Sequence, residues 1–343
     1  MPAKQRILVL RFSAMGDVAM TAPVLRQLAE QHPETELVVV SRALFEPFFE
    51  AIPNLKFHAF HPKGKHQGFK GLLKLFAELQ TYEITALADL HQNLRSRILS
   101  TLFRLKGLKT ATVNKGRGDK KTLTRKDQKI LRPLRPMVER YADVFRKLGF
   151  PIQLQNKLNR NPETLSPNIK ALTGDKGDKK WIGISPFAQH AQKVYPLEKM
   201  GRVIAGLAAQ NLQLFIFGGG PEEQAIAESW AHQNPNTISL VGKLKLRNEL
   251  MLISNLDLML SMDSAGMHLA SLKGIPVVSV WGATHPYAGF LGYGQSAEHC
   301  VQLDLYCRPC SVYGNKPCYR GDFACMQQLS EEIVIQKIIN TIS

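Results

Sequence analysis

Short apolar runs alternate with amphipathic stretches along most of the chain. RILVL at 6–10 reads as a short buried strand, a loop follows over 11–17, and a helix is expected over 18–31. ELVVVS at 36–41 and ITALAD at 84–89 read as further strands, the latter followed by a helix over 96–105. From 159 to 180 the pattern lapses into polar residues with Pro162, Pro167, Gly174 and Gly177, which marks a boundary. It restarts at WIGIS (181–185), then a helix over 197–210 and LQLFIF over 212–217. The next helix, 221–232, has proline in its first position, as helix starts favour. Strands at 238–241, 256–261 and 277–281 and an amphipathic helix at 330–342 complete the pattern. Short strands separated by helices predict parallel sheets of βαβ units. Two such halves predict an α/β protein of two domains, 1–165 and 166–328, with a ligand crevice between them.

Composition excludes several classes without choosing among enzymes. Of 343 residues, 44% are hydrophobic and 21% charged, which rules out a disordered tail, a collagen-like repeat and a coiled coil. No apolar run approaches the ~20 residues that a membrane-spanning helix needs. The start, MPAKQRILVLRFSAMGD, reads as a first strand rather than a signal peptide, so the protein is expected to be cytoplasmic.

Charge is more informative. The net charge is +16, and residues 1–165 hold 29 basic against 14 acidic residues while 166–343 hold 15 against 14. The densest basic stretch, 104–135, is glycine-containing and hydrophilic after Thr110 and is expected to be in part a mobile loop. A basic half attracts polyanions such as nucleic acid, an anionic membrane surface or a phosphorylated glycolipid. The stretch lacks the interleaved aromatics of a nucleic-acid binder, so nucleic acid is not the expected partner.

Four segments carry the candidate chemistry. The first strand runs into Arg11-Phe12-Ser13-Ala14-Met15-Gly16-Asp17. Loops at the carboxyl ends of parallel strands face the ligand, so Asp17 is either a working carboxylate or only a helix N-cap. There is no GxGxxG, hence no dinucleotide fingerprint. In Phe217-Gly218-Gly219-Gly220-Pro221-Glu222-Glu223 three glycines allow close backbone approach, and Glu222 or Glu223 either meets ribose hydroxyls or only complements the helix dipole. In Ser261-Met262-Asp263-Ser264-Ala265-Gly266-Met267-His268 a strand ends and small residues open a helix whose amides suit a diphosphate. Asp263 and His268 can share a site only if Asp263 precedes that helix. Lys193, in Lys193-Val194-Tyr195-Pro196, supplies a point charge for a phosphate.

Together these segments resemble the glycosyltransferase family 9 enzymes, the ADP-heptose:lipopolysaccharide heptosyltransferases. RFSAMGDVAMTAP is similar to their R-x-S-x-x-G-D motif, KVYP to a K-x-W-P element and FGGGPEE to their glycine-rich loop. SMDSAGMHLASLKGIPVVSVWGATHP resembles their long D-[ST]-G-x-x-H-x-A signature. The resemblance implies a GT-B fold: two Rossmann-like domains facing a central cleft, acceptor in the first and donor in the second, with the last helix (329–343) crossing back to the first. It implies inverting, metal-independent transfer of heptose from ADP-heptose to the inner core of lipopolysaccharide, with no cofactor required. It further implies Asp17 as general base, with Ser13 and Arg11 near the acceptor. Lys193 would sit at the donor phosphate, Glu222 or Glu223 at the ribose and Asp263 at sugar hydroxyls, with Ser264, Ala265 and His268 lining the donor pocket. An anionic glycolipid acceptor would draw the enzyme to the cytoplasmic face of the inner membrane as a peripheral protein. The chain departs from the pattern at Ala265-Gly266, where the family has Gly-x, at Tyr195 for tryptophan, and at Phe187–His190, which lack paired small hydroxyl residues. Another nucleotide sugar is the alternative donor.

Five cysteines lie near the end. Cys307, Cys310, Cys318 and Cys325 form Cys-x2-Cys-x7-Cys-x6-Cys, which in a cytoplasmic chain points to a structural zinc rather than disulfides, the alternative being reduced thiols in a loop-rich corner.

Overall fold

The computed structural model describes residues 5–342. In chain order the first elements are β1 (Arg6–Leu10), α1 (Met15–Ala19), α2 (Thr21–Gln31), β2 (Glu36–Arg42), β3 (Leu55–Phe60), α3 (Gly68–Gln80), β4 (Ala86–Asp89), α4 (Leu94–Leu105), β5 (Lys109–Thr112), α5 (Arg117–Leu123) and α6 (Met137–Leu148). Then come α7 (Pro167–Thr173), β6 (Lys180–Ser185), α8 (Leu197–Ala208), β7 (Leu212–Ile216), α9 (Pro221–Gln233), β8 (Thr237–Ser239) and α10 (Leu246–Ile253). The last are β9 (Leu258–Met262), α11 (Ala265–Leu272), β10 (Val277–Val280), β11 (Cys300–Val301), α12 (Ala324–Gln327) and α13 (Glu331–Ile342).

Two compact units form. The first takes the chain up to Lys115 together with Pro136–Gln155; the second takes Gly116–Arg135 and the chain from Asn156 onward. In the first unit a parallel sheet runs in the order β3-β2-β1-β4-β5. Its central strand is covered on both faces: Ile7, Leu8, Val9 and Leu10 are all fully buried. Such strands read as continuous apolar runs rather than alternating ones, and each side chain so buried contributes roughly 1.5–3 kcal/mol. The single helix expected over 18–31 is two, α1 and α2, broken at Met20. Pro23 explains the break, because proline is tolerated in the first turn of α2 but would clash inside one continuous helix.

The second unit is a parallel sheet in the order β11-β10-β9-β6-β7-β8. One expectation, the charge asymmetry, needs correction here. The stretch after Thr110 is a loop only in part: α5 forms within it, and its 116–135 portion packs into the second unit. There Lys120 is buried with its Nζ 4.1 Å from the Phe290 ring centre, and Leu123 and Leu134 are buried with Ala288. The charge asymmetry between halves therefore dissolves: divided by packing, each unit carries a net +8. The last helix, α13, packs on α8, β9 and β10, with Val334 and Ile338 in the second unit's core. The chain enters the second unit for the last time at Asn156, which accepts from Gly294 N–H, and at Asn159 it lies where a side chain on Gly274 would be.

Candidate active site

In both sheets the strand order reverses direction about one strand pair: β1 and β4 in the first, β6 and β9 in the second. Loops at the carboxyl ends of such a pair splay apart, which is where doubly wound sheets hold ligands. Arg11, Ser13 and Asp17 follow β1, Lys193 follows β6 and Asp263 follows β9, whereas Glu222 and Glu223 follow the neighbouring β7.

In the first unit the loops after β1 and β4 are tied together. Arg11 is 4% exposed and donates from Nη1 to the Leu90 carbonyl at 2.7 Å, while Phe12 N–H donates to His91 Nδ1 at 2.9 Å. Arg11 Nη2 meets Asp17 Oδ2 at 2.5 Å, with the Asp17 side chain about one-third exposed. Burial works to lower the Arg11 pKa, but Tyr141, Asp17 and Asp89 around it more than reverse this, so the guanidinium stays charged. Asp17 is the third residue of α1, whose N-cap is Ala14 with no side-chain cap, so the N-cap alternative does not hold. Ser13 is half-buried in the same loop.

Sequence reasoning missed Asp89 and His91. The Asp89 carboxylate is fully buried and accepts from His91 N–H, Gln92 N–H and the Ser96 hydroxyl, shaping the turn into α4. Burial raises its pKa above the ordinary aspartate value. Burial, and then Arg11 and Lys115, push His91 down to about 3, which keeps its ring neutral and its Nδ1 an acceptor. A polar residue after an apolar strand was the available signal, and ITALAD-LH carries it.

In the second unit Lys193 and Asp263 meet. Nζ lies 2.8 Å from Oδ2, and the Asp263 side chain is 4% exposed. Asp263 does precede α11, whose N-cap is Ser264. Ser264 Oγ stands 3.4 Å from Ser261 Oγ, Ala265 is half-buried, and His268 is buried one turn on. The departure at Ala265-Gly266 has a packing reason: a Cβ on Gly266 would collide with the Ser185 hydroxymethyl group at the end of β6. Gly266→Ala is therefore expected to destabilise the protein by about 1–3 kcal/mol through overpacking, measured by urea unfolding; an unchanged midpoint would refute the close approach. Tyr195 is a core residue, fully buried, with its hydroxyl donating to the Leu329 carbonyl at 2.7 Å. Gly314, at φ +73°, lets the cysteine-rich loop lie against the aliphatic stem of Lys193.

The two glutamates separate. Glu223 Oε2 accepts from Gly219 N–H at 2.7 Å and so holds the glycine loop in shape, whereas Glu222 is exposed in the first turn of α9. Burial pushes Glu249 in α10 up to about 7, a carboxyl that no sequence signal marked.

The four cysteines of the motif share one neighbourhood, in which Cys310, Cys307 and Cys318 all act electrostatically on the Cys325 thiol. All five are free thiols. Among the described residues, only His58, His66 and Glu78 gather three ligand atoms within 4.8 Å of one another. The cysteine loop is pinned by buried Arg308, which donates to the carbonyls of Trp281, Gly282, Leu303 and Thr284. Burial pushes the Cys325 thiol up to about 12. The histidine trio is a hydrogen-bonded cluster rather than a metal centre. His66 Nδ1 takes the His61 N–H at 3.1 Å, which places the proton on Nε2, facing Glu78 Oε2 at 3.1 Å. A metal-bound histidine would instead donate from its second nitrogen.

Two Rossmann-like units, each a parallel sheet with a charged pair at its switch point, give the architecture of the GT-B fold class. The sequence profile of glycosyltransferase family 9 (heptosyltransferase) matches residues 72–318, and the chain belongs to that family. It is 28% identical to lipopolysaccharide core heptosyltransferase OpsX of Haemophilus influenzae, over 83% of this chain and 81% of the relative. It is 24% identical to lipooligosaccharide heptosyltransferase 2 of Campylobacter jejuni, over 94% and 95% respectively. Among solved structures, the family 9 glycosyl transferase of Veillonella parvula superposes with a TM-score of 0.74 at 19% identity, covering 99% of this chain and 97% of that one. E. coli heptosyltransferase WaaC with ADP-2-deoxy-2-fluoro heptose superposes at 0.67 and 19% identity, covering 98% and 99%. Both share the fold. No helix among the described residues is long and apolar enough to cross a membrane.

Proposed function

We propose that this glycosyltransferase moves heptose from ADP-heptose to the inner core of lipopolysaccharide, inverting the anomeric centre in a single displacement. The observation that carries the reading is that the family-signature charges of both units, Asp17 in one and Lys193 with Asp263 in the other, lie at the switch points of their sheets. The names of the relatives, lipopolysaccharide and lipooligosaccharide heptosyltransferases, agree with it.

Asp17 takes the proton of the acceptor hydroxyl as that oxygen attacks the anomeric carbon and the bond to the diphosphate breaks. Buried Arg11 fixes the orientation of the carboxylate. Lys193 and the first amides of α11 receive the charge that develops on the leaving diphosphate. Asp263 holds Lys193 in place before the donor arrives and then shares it between itself and sugar hydroxyls. Ser264, Ala265 and His268 line this pocket. Glu222 meets the ribose, since Glu223 is occupied in shaping the glycine loop. The acceptor is an anionic glycolipid, and the enzyme works at the cytoplasmic face of the inner membrane as a peripheral protein.

The donor is tested by thermal shift. ADP and ADP-sugars are expected to raise the melting temperature, by as much as ~2.7 kcal/mol of added stability at a hundred times the Kd. UDP and GDP are expected to leave it in place. Stabilisation by UDP or GDP instead would transfer the assignment to another nucleotide sugar.

A further inference from the structure

We propose that the amino-terminal half of α3 and the loop before it form the face by which this protein docks on an anionic lipid bilayer. The inference deepens the reading above, which requires a glycolipid acceptor, by naming the surface that meets the membrane.

Residues 51–77 contain no aspartate or glutamate but hold Lys56, Lys63, Lys65, Lys70 and Lys74. Within this stretch α3 has two apolar faces. Leu72, Leu75 and Leu79 are buried in the core of the first unit. Phe69 and Leu73, four residues apart and so on one outward face, are 62% and 39% exposed. Lys70 and Lys74, each one residue further on, are exposed beside them, and Lys63 is exposed in the loop. An aromatic and an aliphatic side chain turned outward among lysines match an interfacial helix, whose apolar groups enter the acyl boundary while its cations meet headgroups. Isolated exposed apolar residues need no explanation, but a paired, cation-flanked set without a single acid does.

The face is also held rigid. His66 is fully buried, with its ring 5.7 Å from that of Phe60 and nearly parallel to it. Glu78, on the last turns of α3, accepts from His66 and from Lys65, whose Nζ lies 3.0 Å away. Burial works to raise the Glu78 pKa, but those two partners outweigh it and hold the carboxyl at about 2, so the clamp stays ionised. Gly71 lies so close to the His66 backbone that a Cβ there would collide with it. A fixed face loses little freedom on docking. The other basic stretch, 116–135, is a weaker candidate. Its Lys120 lies over Phe290, Lys126 over Tyr319, and Lys129 donates to the Tyr306 carbonyl, all within its own unit.

The test is cosedimentation of the full chain with vesicles of phosphatidylethanolamine and phosphatidylglycerol, or of phosphatidylcholine alone. The same proteins are assayed for transfer to a deacylated, soluble acceptor. The wild type is expected to bind the anionic vesicles and not the neutral ones. The K63Q/K70Q/K74Q variant should bind them about 100-fold more weakly, roughly fivefold per lysine. The F69S/L73S variant should lose the binding that survives high salt. Unchanged turnover on the soluble acceptor beside lost vesicle binding supports the docking face. Wild-type binding by the lysine variant, or no anionic binding by the wild type, overturns it. Loss of turnover on the soluble acceptor in these variants also overturns it, by marking the residues as substrate contacts. Vesicle binding with the expected variant losses, but no transfer by any of the proteins, supports the docking face and overturns only the transferase reading.

Discussion

Replacing Asp17 by asparagine is expected to lower turnover by ~10²-fold or more, the scale of losing a general base, with donor affinity little changed. Asparagine keeps the shape of the side chain, and its carbonyl oxygen can still accept from Arg11 Nη2, which lies 2.5 Å from the carboxylate in the wild type. What it lacks is the capacity to take a proton. Arg11, 4% exposed, would lose the nearest of its carboxylate partners, so some stability is also expected to go. A pure folding defect and a chemical one are separable by measuring single-turnover rates alongside ADP binding. A folding defect lowers the amount of binding-competent protein; loss of the base lowers the rate at full occupancy. Near-normal turnover in Asp17→Asn would remove the residue from this role.

Much of the fold was legible because buried parallel strands advertise themselves. Val38, Val39 and Val40 in β2 and Leu258, Met259 and Leu260 in β9 are fully buried, and their apolar runs marked both strands. The elements that escaped notice lack that signature. β3, LKFHAF, is an edge strand of mixed burial, and β5, KTAT, is an edge strand with no buried residue. Helix α6 has an apolar face, with Tyr141, Val144 and Phe145 buried, but it lies between the basic stretch and the polar boundary, where no element was assigned.

The candidate site was legible where chemistry is carried by a motif and illegible where it is carried by packing. Asp17, Lys193 and Asp263 were found by their motifs, and the structure gives each a charged partner. The partnership between Arg11 and the loop after β4 was not accessible, because residues 11 and 90 are brought together only by the pairing of β1 with β4. The spacing of the cysteines does bring their thiols into one neighbourhood, but the buried Arg308 that holds the loop by its carbonyls carried no signal. The assignment of excess charge to one half failed, since the 116–135 segment leaves one unit and packs into the other.

Stability should fall on the acid side, and His91 should account for much of the fall. The ring is pushed down from 6.5 to about 3, by burial first and by the cations Arg11 and Lys115 next. Below its ordinary pKa the unfolded chain binds a proton there and the folded chain does not. The stabilisation is thus complete above about pH 6.5 and is lost as pH falls toward 3. At pH 5 the loss from this one group is about 2 kcal/mol, from the 1.36 kcal/mol that each pKa unit represents. His285, His58 and His66 are also lowered and add to the total. The contribution of His91 is isolated by His91→Asn, whose side-chain oxygen can take the Phe12 N–H in place of Nδ1. Urea unfolding at about pH 7.5 and pH 5 should cost the wild type about 2 kcal/mol more than the variant across that interval. Equal losses would contradict a neutral, buried His91. The same protonation bears on catalysis, because a cationic His91 would stand beside Arg11 and could no longer accept from Phe12. In the folded chain that release of the loop aiming Asp17 would come only near pH 3, well below the pH at which the fold begins to weaken.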